Sequence, residues 1–177
     1  MTVQIRVAST SADLDEVRRL LRDYLAWQRA RPSEIQSLVS AYFDERGFED
    51  DLDRLPGEFG PPDGELLVAW DGDHAIGTVA SHRFDAESTE MKRMFVEPRA
   101  QGRGVGRMLA EEIVARARAA GYRRMLLDTS PGQDAAIALY RSLGFESVGP
   151  YAELDDALRD GLVFFRLDLR GSPPPVK

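Results

Sequence analysis

The chain has 177 residues and no cysteine, which excludes disulfides, thiolate zinc sites and a cysteine nucleophile. Its 23 basic and 30 acidic residues leave a net charge of −7, a poor match for a phosphate backbone and weakly suited to a cationic substrate. With 43% hydrophobic residues and no apolar run near the roughly 18 residues that span a bilayer, the composition predicts one globular domain over residues 1–170, cytoplasmic, with neither a membrane nor a nucleic-acid partner.

Val3 to Ala8 alternates apolar and polar residues and predicts a strand. Ser11 or Asp13 can cap the helix that follows, whose apolar stripe is Leu14, Val17, Leu20, Leu21, Tyr24 and Leu25. Pro32 ends that helix near Ala30-Arg31. A second helix is expected from Ser33 to about Arg46, with Gly47 as its stop, and residues 56–64 read as a loop. Strands follow over Glu65–Trp70, Ala75–Ser81 and Glu90–Val96, with turns at Asp71-Gly72-Asp73 and near Asp85-Ala86-Glu87. Then come a helix to Ala120, a strand over Met125–Thr129, a helix over Asp134–Leu143, a short extended piece at Phe145–Pro150 and a last strand over Leu162–Leu169. Residues 171–177, rich in proline, predict a flexible tail. The order βαα-βββ-α-β-α-β-β implies an α/β sandwich with a mixed sheet.

Between the strand that ends at Val96 and the following helix lies Gln101-Gly102-Arg103-Gly104-Val105-Gly106. A helix N-terminus carries free amides and a positive dipole end, so it suits an anion. Three glycines let a phosphate approach the backbone, and Arg103 and Arg107 can add charge. A pyrophosphate is the natural ligand. The segment lacks the Gly-Lys-Ser/Thr of a P-loop. A dinucleotide fingerprint starting at Gly102 fails at Arg107, although Asp128 stands where a ribose-binding acid would.

Further along, Ala136-Ile137-Ala138-Leu139-Tyr140-Arg141-Ser142-Leu143-Gly144-Phe145 fits the pattern Ala-x-x-Leu-Tyr-x-x-x-Gly-Phe. With the strand Glu90–Val96, Pro98, the glycine run and Asp128-Thr129, this order of pieces resembles the GNAT superfamily of N-acetyltransferases. The clear match covers residues 88–150. The resemblance implies a three-layer α/β sandwich whose mixed, mostly antiparallel sheet splays between its fourth and fifth strands. It implies acetyl-CoA as cosubstrate and no metal. Pantetheine would pair with the strand at Met94, Phe95 and Val96. The pyrophosphate would sit on Gln101, Gly102, Arg103, Gly104, Val105, Gly106 and Arg107. Gln133 stands where many relatives carry a cofactor-binding asparagine.

Direct transfer to an amine needs a base for the amine, polarisation of the thioester and a proton for the departing thiolate. The resemblance makes Tyr140 the proton donor; packing on the sheet is the plain alternative. It makes Glu90 the general base, directly or through water, with a pKa raised by burial beside the cofactor. His82 and Glu87 are the reserves, and His74 reads as exposed in a hairpin turn. The two histidines form no metal-binding pattern.

The acceptor is expected to be the amine of a small molecule or peptide, bound by residues 24–60 and 146–162. Trp27, Tyr42, Phe43 and Phe59 either line that site or pack in the core. The acidic run Glu49–Asp53 either attracts a cation or is a solvated helix end. A non-catalytic acyl-CoA sensor on the same scaffold is the alternative function. A homodimer is compatible with the resemblance.

Overall fold

A computed structural model describes residues 2–43 and 45–170, so the proline-rich tail expected at 171–177 lies outside the described residues. The chain runs β1 (Val3–Val7), α1 (Ser11–Arg29), α2 (Gln36–Tyr42), α3 (Glu45–Asp53), β2 (Gly64–Asp71), β3 (His74–Arg83) and β4 (Ser88–Val96). It continues with α4 (Val105–Ala119), β5 (Arg124–Thr129), α5 (Asp134–Ser142), β6 (Glu146–Val148), α6 (Asp156–Gly161) and β7 (Val163–Asp168). The seven strands form one sheet in the order β1-β2-β3-β4-β5-β7-β6. Every neighbouring pair is antiparallel except β4 and β5.

Alternate side chains of the central strands serve opposite cores. Leu66, Val68, Ala80 and Phe95 face α1, α2 and α3, where Val17, Leu20, Leu21 and Leu25 form the buried stripe of α1. Leu67, Val79, Met91, Met125 and Leu127 face Leu109, Ile113 and Val114 of α4 and Tyr140 of α5. Two helical layers thus sandwich the sheet, the expected architecture.

α1 is capped by Thr10, not by Ser11 or Asp13. Thr10 Oγ1 accepts from the Asp13 amide at 3.1 Å, and the Asp13 carboxylate accepts from the Thr10 amide at 3.1 Å. This reciprocal box satisfies amides that the first turn leaves free. Arg6 Nη2 of β1 donates to the same carboxylate at 2.7 Å and ties the helix start to the sheet edge.

The second helix expected from Ser33 is broken. A 3₁₀ turn spans Ser33–Ile35, and α2 ends where Phe43 leaves helical geometry at φ −116°, ψ 77°. α3 then begins afresh, so Gly47 lies inside it instead of stopping its predecessor. Phe43 and Phe48 meet edge-on at 5.5 Å, so the break lets both aromatics enter one core.

β4 starts two residues before the expected Glu90, and those residues matter. Its pairing with β5 is confined to Ser88–Arg124, Thr89–Met125 and Glu90–Leu126, after which the two strands part. Near its middle β4 carries a bulge. Thr78 faces Phe95 and Ala80 faces Lys92, so Val79 alone stands opposite Arg93 and Met94. Arg93 holds φ at +55° there.

Asp13 is buried, which by itself raises its pKa, but hydrogen bonds from Arg6, Thr10 and Ser9 outweigh burial and lower it. A depressed carboxylate stabilises the fold above its unfolded pKa and loses that effect as pH falls through the folded value. Asp13→Ala is therefore expected to destabilise the protein by about 2 kcal/mol at pH 7. In urea unfolding, the deficit should shrink only once the pH drops below the ordinary aspartate range.

Candidate active site

The parting of β4 and β5 leaves residues 91–96 of β4 without a partner on that side. A cleft of about 580 Å³ opens there, bounded by Met94, Phe95 and Val96, the glycine loop and the start of α5. Gly104 caps α4 at φ +81°, and Gly102 holds φ +75°. A Cβ at either would meet nothing within 4 Å, so backbone conformation, not space, demands glycine. The free first-turn amides of α4 point toward the cleft with the positive end of its dipole.

Gln101, Gly102, Gly104, Val105, Gly106 and Arg107 all line this cleft. Arg103 does not. Its Nη2 donates to Asp71 Oδ2 at 2.7 Å, which draws the guanidinium onto the β2 end. Arg107 stays at the rim, donating to Ser142 Oγ at 2.6 Å and to Glu111 at 3.2 Å. Gln101 Nε2 donates to the Val96 carbonyl at 3.0 Å, so one backbone group expected to bond pantetheine already has a side-chain partner. Gln133 Nε2 donates to Ser130 Oγ at 2.8 Å, and its residue borders the cleft.

A second, smaller space of about 60 Å³ lies between the splayed strands beside α1 and α2. Tyr24, Met94, Gln133 and Tyr140 border both spaces. Tyr140 packs its ring on Phe145 and Phe165, and its hydroxyl reaches Met94 Sδ at 3.7 Å. Burial pushes its pKa above the usual tyrosine value, so the hydroxyl keeps its proton at neutral pH.

Behind the smaller space lies a connected ionic cluster. Lys92 Nζ donates to Asp128 Oδ2 at 2.5 Å and Tyr42 Oη at 3.1 Å, and lies 3.0 Å from Glu90 Oε1. Tyr151 donates to Glu90 Oε1 at 2.7 Å, and His82 Nε2 lies 2.9 Å from Glu90 Oε2. His82 Nδ1 is 3.4 Å from the exposed Glu58. Burial alone would raise Glu90, but His82, Lys92 and Tyr151 outweigh it and bring the pKa down to about 2. The expected upward shift is overturned, because burial came with three hydrogen-bond and charge partners instead of an apolar wall. Lys92 is raised despite burial, by Tyr42, Asp128 and Glu90.

The reserve bases separate clearly. His82 stands directly across from Glu90 in the β3–β4 register. Glu87 lies in the turn before β4 and pairs with Arg123 at 2.8 Å and Arg124 at 2.6 Å, away from both spaces. His74 sits 3.2 Å from Glu97, at the opposite end of β3. Among the described residues, no group of three or more His, Cys, Asp or Glu side chains is placed to hold a metal. No helix there is long and apolar enough to cross a membrane.

The four aromatics divide their roles. Trp27 lines the cofactor cleft, and Tyr42 and Phe43 line the smaller space. Phe59 is buried and meets His82 edge-on at 5.8 Å. The acidic run is engaged in ion pairs: Glu49 with Arg22, and Asp51 with Arg54 and Arg93. Composition and spacing did not single out Lys92, Tyr151 or Glu58. For Lys92, its place two residues after Glu90 on one strand face was the available signal.

The family model described as the Acetyltransferase (GNAT) family matches residues 18–145. An uncharacterised N-acetyltransferase of Schizosaccharomyces pombe is 33% identical over 152 residues, which cover 84% of this chain and 86% of that protein. The IAA acetyltransferase of Azospirillum brasilense is 38% identical over 138 residues, 69% of this chain and 86% of its own. The crystal structure of PaiA N-acetyltransferase from Thermoplasma acidophilum, in complex with coenzyme A, shares the fold with a TM-score of 0.68. That superposition covers 95% of this chain and 99% of the other at 17% identity. These findings define an acyltransferase that depends on acetyl-CoA. The chain belongs to the acetyltransferase (GNAT) family.

The residues present fit that cosubstrate. The cleft volume suits a large ligand, one wall is an unpaired strand edge, and the other is a helix N-terminus opened by glycines. A side chain at φ near +80° costs about 1–2 kcal/mol. Gly104→Ala is thus expected to lower the melting temperature by about 2–8 °C and, where the loop relaxes to relieve the strain, to weaken acetyl-CoA about tenfold in titration calorimetry.

Proposed function

We propose that the protein transfers the acetyl group of acetyl-CoA directly to a primary amine of a small molecule or peptide, with Tyr140 as proton donor and Glu90 as proton acceptor. The observation that carries this reading is the place of Tyr140. Tyr24 and Tyr140 both border the cofactor cleft and the space between the strands, but Gln28 Nε2 already donates to the Tyr24 hydroxyl at 2.8 Å, which leaves the protonated hydroxyl of Tyr140 as the one without such a donor. A buried tyrosine used only for packing would gain nothing from that boundary, and among the described residues its hydroxyl has no stronger partner than a thioether.

Acetyl-CoA supplies an activated acyl carbon and a thiolate leaving group. An amine that enters as an ammonium loses two protons, one before attack and one after the C–N bond forms. Tyr140 gives its proton to the sulfur as the C–S bond breaks, and regains one from the nitrogen. The other proton passes to Glu90. A carboxylate held at about 2 does not keep it, so it moves on through His82, 2.9 Å away, toward Glu58 at the surface. Met94, Phe95 and Val96 offer the strand edge to pantetheine. Gln101, Gly102, Gly104, Val105, Gly106 and Arg107 face the pyrophosphate, and Gln133 adds an amide at the junction.

The test is release of free thiol from acetyl-CoA across a panel of amino acids, polyamines, aminoglycosides and peptide N-termini. Tyr140→Phe is expected to lower kcat about 100-fold while acetyl-CoA binds within about threefold of the parent. Glu90→Gln and His82→Gln are expected to lower kcat/KM together. Activity that survives Tyr140→Phe unchanged would remove the assigned donor. Acetyl-CoA binding without release on any amine would support a binding module instead.

A further inference from the structure

We infer that the acceptor is an aminocarboxylate, an amine carrying a free carboxylate, and that Arg93 binds that carboxylate. This rests on the amine-acetylation reading above. Arg93 lines the small space between the strands and holds φ +55°, the only positive φ at a residue other than glycine among the described residues. Such backbone persists where surrounding structure imposes it, and it gathers at binding sites. Here it belongs to the bulge that turns two consecutive residues, Lys92 and Arg93, toward the helices α2 and α3. Lys92 reaches Tyr42, and Arg93 reaches Phe43, Phe48 and Asp51.

The two cations differ in how well they are paired. Lys92 has Asp128 at 2.5 Å and Glu90 at 3.0 Å. Arg93 is only 15% exposed, yet its one ion pair among the described residues is to Asp51 at 3.4 Å, near the outer limit of a hydrogen bond. Its guanidinium lies against the rings of Phe43 and Phe48, at 5.7 and 5.5 Å, which leaves its N–H edge as the face to satisfy. A guanidinium has five donors in a planar fork, and a carboxylate is the shape that meets two of them at once.

The pairing of charges points the same way. Lys92 with Asp128 and, behind the pocket, Glu90 sums to +1 − 2 = −1, while Arg93 with Asp51 sums to +1 − 1 = 0 through a contact at the outer limit of a hydrogen bond, so the Arg93 end is the less negative one. One end suits an ammonium beside Tyr140, and the other suits a carboxylate. A volume of about 60 Å³ admits a small zwitterionic head group. An amine without a carboxylate would bury Arg93 further and leave it only the long contact to Asp51.

The test compares free amino acids with their amides and their decarboxylated amines as matched pairs in the thiol-release assay. The parent protein is expected to prefer the free acids by about 30-fold in kcat/KM. Arg93→Gln should raise KM for the acids about 30-fold, leave KM for acetyl-CoA within about threefold, and erase the preference over amides. Asp51→Asn should act oppositely, lowering KM for the acids by freeing Arg93 and leaving the amides unmoved. That second variant keeps the test decisive if Arg93→Gln melts early. Equal use of acids and amides by the parent, or release confined to amines lacking a carboxylate, overturns the inference while amine acetylation stands. No release with any amine overturns both.

Discussion

Three residue pairs hold β4 to β5, and everything functional in this molecule follows from the fact that there are no more. Two strands that continued in register would pair their backbones and close the sheet. Here β4 bulges at Arg93 and pairs with β5 only through Glu90, so the backbone of residues 91–96 is left with unmet hydrogen-bonding capacity on one side. The cost is contained because helices cover both faces of the gap. On one side Tyr140 closes it against Met94; on the other, Lys92 bridges it to Asp128. The gap is therefore where two spaces meet, with Tyr24, Met94, Gln133 and Tyr140 on their shared border.

Those two spaces use different physics. The cofactor side is made of backbone: a strand edge, glycine turns and a helix start, all fixed by conformation and indifferent to titration. The far side is made of ionised side chains in a buried cluster. Burying Glu90 and Lys92 is costly, and removing one partner strands the others, so the cluster is stable only as a whole. That explains why Glu90 is brought down to about 2 and Lys92 is raised at the same time. The expectation of an elevated Glu90 considered burial alone. The deciding contribution comes from residues on β3, on β4 and after β6, which no local window brings together.

This contrast also explains what could be read from the chain. The cofactor half was legible because it is sequential: Val96, the loop 101–106 and Tyr140 lie on neighbouring elements whose local patterns are strong. Even the His82–Glu90 pair was within reach, since both residues lie four positions from Ala86 at the centre of the turn. The pairing of Arg103 with Asp71, 32 positions earlier, was not legible, because glycine spacing says nothing about a distant carboxylate. α6 went unread because six residues, Asp156–Gly161, carry no apolar period to detect. The break at Phe43 went unread because helix propensity runs through it and only aromatic packing decides against it.

The stability of the elements is divided along the same line. The 15-residue α4 buries Val105, Leu109, Ile113 and Val114 and seats the glycine loop on the firmest part of the fold. The far space is walled by α2 and by Leu162 just after α6, helices of seven and six residues, neither with a side-chain cap. Helices so short do not persist alone. They hold each other, with Gly161 at the end of α6 packed against the Leu38 side chain of α2. Leu38 and Leu162 also border the small space, so the contact that stabilises the pair is the one that encloses it. The cofactor cleft owes its shape to the core, and the smaller space owes its shape to two marginal helices that define each other.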